Sequence, residues 1–144
     1  MAFDIDRLLE LWTRPVTSVP EAEDAFREVY TDPVTVNGAA MTVADLVRRA
    51  VAVQSTFDPV DREVLDVCEA GDKVAVAFRM GGRQTGPLAT SAGVLAATGE
   101  QVRLRVIDIL TVTDGRISTI WMVADELGAL ASVDAVQLRQ PRSA

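Results

Sequence analysis

Apolar residues recur at helical spacing through the first third of the chain and form three stripes. Pro15 ends the first predicted helix and Asp32-Pro33 ends the second, while Ser18 and Thr42 begin the second and third with capping sequences. A short β-prone run at 34–36 separates the last two helices. The stripes consist of Ile5, Leu8, Leu9 and Trp12; Ala22, Ala25, Phe26, Val29 and Tyr30; and Leu46, Ala50, Val53 and Phe57.

From residue 61 onward the apolar residues alternate with polar ones, which is typical of strands with one buried face. Asp114-Gly115 has the composition of a tight hairpin turn. The segment 81–99 is rich in Gly, Ala and Thr, and loops of that length are usually functional or mobile. The predicted elements are strands at 61–69, 72–80, 102–113 and 116–124, a long loop at 81–99, and a short helix from Leu127 to about Ala135.

This order, with helices first and antiparallel strands after them, predicts an α+β fold in which a curved sheet packs on three N-terminal helices. Such an arrangement leaves a cavity between the two layers. The length of 144 residues suits one domain, which we place at 1–136, followed by a frayed tail at 137–144.

Composition excludes several kinds of chemistry. The chain has no His and one Cys, which rules out Ser-His-Asp triads, Cys-His pairs, typical zinc sites and an internal disulfide. The net charge of −7 argues against nucleic-acid partners and against adhesion to anionic membranes. No apolar run is long enough for a membrane span, and the N-terminal segment lacks the basic start of a signal peptide, so we expect a cytoplasmic protein.

The strand 102–113 carries the strongest chemical signal. Asp108 is the one polar residue among its even-numbered positions, so an inward-facing Asp108 would be desolvated, with a raised pKa, and would be a candidate acid or base. Alternatively, a twist or bulge lets Asp108 cap a turn or pair with an Arg. Met122 should neighbour Asp108 across the hairpin, while Trp121 is expected to be a core or dimer-interface ring and Asp125 a helix cap.

Other side chains are weaker candidates. Asn37 is either a turn residue or an amide that reaches into the cavity. Glu63 would be a second acid if it faced inward. Trp12 and Tyr30 project from helices toward the expected mouth of the pocket, although core packing would also explain them.

Four segments carry a resemblance to a known family. The hairpin and helix at 106–130, the segment Tyr30-Thr-Asp-Pro-Val-Thr-Val-Asn-Gly38, the turn Glu69-Ala-Gly-Asp-Lys-Val-Ala-Val76, and Gly86-Pro-Leu with Ala97-Thr-Gly resemble SnoaL-like polyketide cyclases of the nuclear transport factor 2-like superfamily. The resemblance covers residues 5–133. It implies an α+β barrel, a cone-shaped pocket closed by helices, a homodimer, and activity without cofactors or metals.

The resemblance also assigns roles to individual positions. Aldol cyclases of this family have an Asn where this chain has Asn37, a His where it has Asp108, and the acid/base Asp where it has Met122. Because a thioether cannot transfer a proton, the chain departs from the aldol pattern at its central residue. Asp108 and Asn37 remain the catalytic candidates, and the apolar substrate-binding candidates beside Met122 are Val106, Leu110 and Ile120.

These residues favour a cyclase that folds a hydrophobic polyketide or polyene and closes a carbon ring, in a Diels–Alder-type [4+2] reaction promoted by pocket shape and hydrogen bonding. One alternative is an aldol cyclase, isomerase or epoxide-opening enzyme in which Asp108 transfers protons. The other alternative is a non-catalytic protein that binds a small ligand.

Overall fold

The computed structural model describes residues 3–143, which form four helices and eight strands. The helices are α1 (Ile5–Thr13), α2 (Val19–Val29), α3 (Val43–Thr56) and α4 (Glu126–Ser132). The strands are β1 (Tyr30–Val36), β2 (Ala39–Met41), β3 (Asp61–Ala70), β4 (Lys73–Arg83), β5 (Leu88–Thr90), β6 (Gly93–Leu95), β7 (Gln101–Thr113) and β8 (Arg116–Ala124).

The predicted helices form at the predicted caps. The Ser18 hydroxyl accepts a hydrogen bond from the backbone N–H of Glu21, and Thr42 and Asp45 bond each other's backbone N–H groups reciprocally. The second helix ends one residue earlier than its apolar stripe, because Tyr30 is the C-cap of α2 and the first residue of β1. No helix within residues 3–143 is long and apolar enough to cross a membrane.

Six strands form one curved sheet in the order β2-β1-β8-β7-β4-β3. The neighbouring pairs are antiparallel except β1 and β8, which run parallel. The fold is therefore α+β, as predicted, with one parallel pairing that local patterns did not indicate. This pairing places the beginning of the chain's first strand, at Tyr30, beside Ile117 near the beginning of its last long strand.

One face of the sheet packs on α1, α2 and α3. Along β4 and β7 the residues on this interior face are buried and their neighbours on the other face are more exposed, as the period of two requires. The core also includes apolar residues from the helices. The buried residues that the two strands contribute to this core are Val74, Val76, Phe78, Met80, Val106 and Leu110.

The segment 81–99 differs from the predicted long loop. Residues 81–83 complete β4, and β5 and β6 form a small antiparallel hairpin. The fully buried Gln84 organises the segment: its amide nitrogen donates to the carbonyls of Gly86, Leu95 and Ala96, and its amide oxygen accepts from the backbone and hydroxyl of Thr98. These contacts hold the two ends of the segment together.

Close backbone approach fixes the entry to this segment. Gly82 has a φ of +147°, and a Cβ at this position would lie 2.2 Å from the carbonyl oxygen of Pro59. Only glycine fits both requirements, because it lacks a Cβ and tolerates positive φ.

Candidate active site

Asp108 lies on the interior face of the sheet, in the centre of β7. It is only 8% exposed, and its cross-strand partners are Val76 on β4 and Met122 on β8. Burial raises the pKa of its carboxyl from 3.8 to about 7. The predicted orientation of this residue and its predicted proximity to Met122 are both confirmed.

The Asp108 carboxyl has an unsatisfied atom. Its Oδ1 is buried and has no hydrogen-bond partner within residues 3–143. The alternative in which Asp108 pairs with an Arg is wrong, because Arg105 lies on the opposite face and pairs with Asp125, with Nη2 and Oδ2 3.4 Å apart. A carboxyl buried in this way is costly to the fold, so a ligand role is the simplest reason for it.

Three aromatic rings, from α1, α2 and the first residue of β1, pack against one another on the interior side of the sheet. Phe26 stacks on Tyr30, with the ring centroids 5.8 Å apart, and makes an edge contact with Trp12 at 5.6 Å. The indole Nε1 of Trp12 donates to the hydroxyl oxygen of Tyr30 across 2.8 Å. Tyr30 is only 2% exposed, so it lies in the core rather than at the predicted mouth of the pocket.

Electrostatics connects Tyr30 to Asp108. Burial raises the pKa of Tyr30 well above its usual value of 10, the hydrogen bond from Trp12 partly opposes this, and the negative charge of Asp108 raises the pKa further. Both side chains are buried, although they are far apart in the sequence.

The predicted apolar lining is on the interior face as expected. Val106, Leu110 and Ile120 are buried. Met122 is on the same face but is 38% exposed, so it is less buried than the other three. These positions follow directly from the cross-strand register of β7 and β8.

Asn37 is not in the interior. It lies exposed in the turn between β1 and β2, with a φ of +50°, and its Oδ1 accepts a hydrogen bond of 2.8 Å from the backbone N–H of Met122. Asn37 and Asp108 therefore flank Met122 on opposite sides of β8. The prediction that the Asn37 amide reaches into the cavity is wrong, because its carbonyl oxygen is used to fasten the turn to β8.

Glu63 is also outside the interior. It pairs with Arg79 across β3 and β4 at the outer face, with Oε2 and Nη1 3.4 Å apart. A bulge between Val64 and Asp66 shifts the register of β3, which explains why its alternation was hard to interpret from the sequence. The prediction that Glu63 lines the pocket is therefore wrong.

Phe26 is a site residue that sequence reasoning missed. Its place in the apolar stripe of α2 indicates only core packing, yet it contacts both Trp12 and Tyr30. It also lines a surface groove of about 350 Å³ between α1 and α2. The spacing of four residues between Phe26 and Tyr30 was the available signal, because it places both rings on one side of a helix.

Two further details of the surroundings are clear. Asp125 caps α4, because its Oδ1 accepts a hydrogen bond from the backbone N–H of Gly128, as predicted.

Among residues 3–143, no group of three or more Cys, Asp or Glu side chains is arranged to hold a metal ion.

Comparison with known proteins identifies the family of this chain and finds solved structures with the same fold. A sequence model of the family described as SnoaL-like polyketide cyclase matches residues 5–133. None of the curated protein sequences matches the chain.

Solved structures share the architecture. TsrD from Streptomyces laurentii is 20% identical with a TM-score of 0.70, over 94% of this chain and 100% of that one. A SnoaL-like polyketide cyclase from Agrobacterium tumefaciens strain C58 is 16% identical with a TM-score of 0.69, over 92% and 98%. IdmH from Streptomyces antibioticus is 19% identical with a TM-score of 0.65, over 89% and 96%. Because the family match spans most of the residues described above, the chain belongs to the SnoaL-like polyketide cyclase family.

Proposed function

We propose that this protein is a cofactor-independent tailoring cyclase that closes a carbon ring in a hydrophobic polyketide or polyene. The observation that carries the proposal is the buried Asp108 carboxyl, which has no partner for Oδ1 and sits among apolar side chains. Membership of a family of polyketide cyclases supports the choice of substrate class.

Pocket shape supplies most of the catalysis in this proposal. Met122, the cross-strand partner of Asp108, cannot transfer a proton. A flexible chain held in a reactive conformation against an apolar wall needs no proton transfer to undergo a [4+2] closure. Preorganisation of this kind contributes roughly 7–11 kcal/mol in the best intramolecular cases. Protonated Asp108 donates a hydrogen bond to a substrate carbonyl and polarises the reacting double bond.

A second candidate function has its own support. A pKa of about 7 lets the Asp108 carboxyl both accept and donate a proton near neutral pH. In an aldol closure, an isomerisation or an epoxide opening, Asp108 would then be the general acid or base. The Asp108→Asn variant separates the two candidates, because its amide still donates a hydrogen bond but cannot transfer a proton.

The experiment is a comparison of metabolites. Purified protein is incubated with extract from a producing strain that lacks this gene, and the mixture is analysed by chromatography and mass spectrometry. We expect one hydrophobic compound to be consumed and a cyclic isomer of identical mass to appear. Heat-denatured protein and the Asp108→Leu variant are the controls.

Other outcomes would contradict the proposal. A product lighter by one water would point to aldol condensation with dehydration, and therefore to the second candidate. Tight retention of a compound without conversion would indicate a non-catalytic binding protein.

We also propose that the protein is a homodimer. The face of the sheet opposite the helices carries two adjacent cross-strand pairs of exposed apolar residues, Ile109 with Trp121 and Ile107 with Val123. Arg103 and Arg105 lie on the same strand face and are exposed. A contiguous apolar patch of this kind with a charged border suits a two-fold interface with a second copy of the chain.

A further inference from the structure

The segment 136–143, which follows α4, exposes an apolar side chain together with two arginines. Its residues belong to no helix or strand, and Leu138 is 74% exposed. Among residues 3–143, no ion pair includes Arg139 or Arg142. One exposed leucine requires no explanation by itself, but this one belongs to a regular pattern.

The pattern in this segment has a period of three. Pro141 restricts Gln140 to extended or polyproline II backbone. A polyproline II helix has three residues per turn, so it places Leu138 and Pro141 on one edge. Arg139 and Arg142 then lie together on the next edge. The segment can therefore present an apolar edge beside a basic one.

A groove of about 350 Å³ between α1 and α2 has the shape to receive such an edge. The small side chains of Ala22 and Ala25 leave the space open above the buried ring of Phe26. The residues that line the groove all lie between Arg7 and Phe26, so the segment 136–143 of the same chain does not fill it. The other apolar residues that line it are Leu11, Pro15 and Val16.

The helix pair and the segment have opposite charges. Between Asp4 and Glu28 the chain has seven acidic and three basic residues, a net charge of −4 out of −7 for the whole chain. The segment 136–143 has two arginines and no acidic residue, a net charge of +2. Charge complementarity of this kind favours association of the two surfaces.

The carboxylates of the groove have capacity for a further cation. Arg7, which lines the groove, is paired with Glu28 outside it. Arg14 lies 3.8 Å from Glu10, measured from Nη1 to Oε1, which is too long for a hydrogen bond. Glu21 is in no ion pair among residues 3–143. Glu10 and Glu21 can therefore each accept from an incoming guanidinium.

We propose that the segment 136–143 of a second copy of this chain docks in the groove between α1 and α2. Its apolar edge lies on the floor of the groove, and its two arginines lie beside Glu10 and Glu21. We assign the segment to a second copy because α4 packs in a different apolar cluster from that of Phe26. Two copies can exchange their segments reciprocally. This contact is separate from the outer face of the sheet and from the proposed reaction.

The first test measures binding of a fluorescent peptide of residues 135–143 by anisotropy. The receptor is the whole chain with Leu138→Asp, because its own segment then does not compete. We expect saturable binding, about 10-fold weaker for a peptide that carries Leu138→Asp. Raising the salt concentration from about 50 mM to about 500 mM should weaken binding several-fold, since the ion pairs are exposed. Binding that does not respond to salt would contradict the role of the two arginines.

A matched pair of variants examines the groove. Ala25→Leu, added to the receptor, fills the groove and should weaken peptide binding by about 10-fold or more. Ala52→Leu is the control, because Ala52 is an exposed position on α3 outside this groove, and it should leave the affinity unchanged. Thermal unfolding confirms that both variants are folded. Equal affinities for the two variants would overturn the assignment of the groove.

Sedimentation at increasing protein concentration tests whether the segment comes from a second copy. The chain with Val123→Glu is used so that the outer face of the sheet does not contribute. A contact this small is weak, so we expect a monomer at low concentration and association toward the millimolar range. Adding Ala25→Leu or Leu138→Asp should weaken this association about 10-fold, whereas Ala52→Leu should not.

The remaining outcomes overturn the inference at different steps. A peptide that does not bind saturably would show that the groove does not recognise the segment. A peptide that binds, with self-association unchanged by Ala25→Leu, would assign the segment to the groove of its own chain. Because neither measurement involves turnover, both are independent of the metabolite experiment.

Discussion

Asp108 on β7 is paired directly with Met122 on β8, so an interior carboxyl faces a thioether rather than a second titratable group. Asp108 and Met122 each have a separate consequence for the chemistry of the interior. Without a proton-transfer partner opposite, Asp108 is suited to holding a proton near neutral pH. The unreactive Met122 leaves the adjoining wall apolar, and its own side chain is partly exposed.

Asp108 should make stability depend on pH. Its carboxyl has a pKa of about 7 in the folded protein and 3.8 as its ordinary value, so the folded state binds the proton more tightly. The resulting stabilisation is fully present below the unfolded pKa and is lost as pH rises to the folded pKa, a change of about 4 kcal/mol. The free energy of unfolding in urea, measured for the parent and Asp108→Asn at several pH values, tests this.

We expect the parent to lose stability relative to Asp108→Asn between about pH 4 and about pH 7, with little change above that range. The comparison with the variant removes the contributions of the other carboxyls. A difference that does not vary with pH would mean that the folded protein leaves the pKa of Asp108 near its ordinary value.

Activity should have its own dependence on pH. If protonated Asp108 donates a hydrogen bond to the substrate, the rate of ring closure falls as pH rises through about 7. Single-turnover rates over this range, with Asp108→Asn as the pH-insensitive control, provide the measurement. A rate that instead rises through the same range would identify the carboxylate as a general base and favour the second candidate function.

Asn37 should contribute to stability through its carbonyl oxygen. Asn37→Ala removes the acceptor for the Met122 backbone N–H and places an Ala at positive φ, so we expect a loss of about 1–3 kcal/mol. Asn37→Asp keeps an acceptor and tolerates the same backbone conformation, and it should be nearly as stable and as active as the parent. Loss of activity in a stable Asn37→Asp would instead show that the amide N–H₂ contacts the substrate.

Gln84 should be essential to the segment between β4 and β7. Gln84→Leu leaves three carbonyls and two Thr98 donors without their partner, so we expect destabilisation by roughly 3 kcal/mol or more. The matched control is Gln101→Leu, an exposed position on β7 where a change within about 0.5 kcal/mol is expected. Similar unfolding curves for the two variants would contradict the central role of Gln84.

The outer face of the sheet should control oligomeric state. Val123→Glu introduces a charge into the apolar patch and should convert the proposed dimer to a monomer in sedimentation experiments. Val94→Glu is the matched control, because Val94 is 71% exposed against 72% for Val123 but lies on the β5–β6 hairpin. A parent protein that already sediments as a monomer would show that the face is not a dimer interface.

The sequence was most informative where local periodicity was strict. Alternation along β7 was sufficient to place Asp108 on the interior face beside Met122, since a regular strand leaves no other choice. The cap residues Ser18 and Thr42 located two helix starts, because their hydroxyls accept hydrogen bonds from backbone N–H groups in the first turn. Glu63 was misplaced because a bulge interrupts the period of β3, which residue types alone do not indicate.

Contacts between distant parts of the chain were beyond sequence reasoning. The hydrogen bond between Trp12 and Tyr30 depends on how α1 crosses α2, and the role of Asn37 depends on β8, which lies 85 positions further along. The role of Gln84 has no signal in the sequence, because its amide nitrogen donates to backbone carbonyls, which every residue type carries. The residues of the candidate site were recognisable by type, but their grouping required the fold.

The parallel pairing of β1 with β8 determines the order in which the barrel can be completed during synthesis. Tyr30 emerges early, yet its sheet neighbour Ile117 is made only after β3, β4 and β7. Until then β1 has only the short β2 as a partner, and closing so long a loop carries an entropic cost that slows folding. We therefore expect the interior around Tyr30 and Asp108 to be one of the last parts of the molecule to form, with a refolding rate sensitive to substitutions in β8.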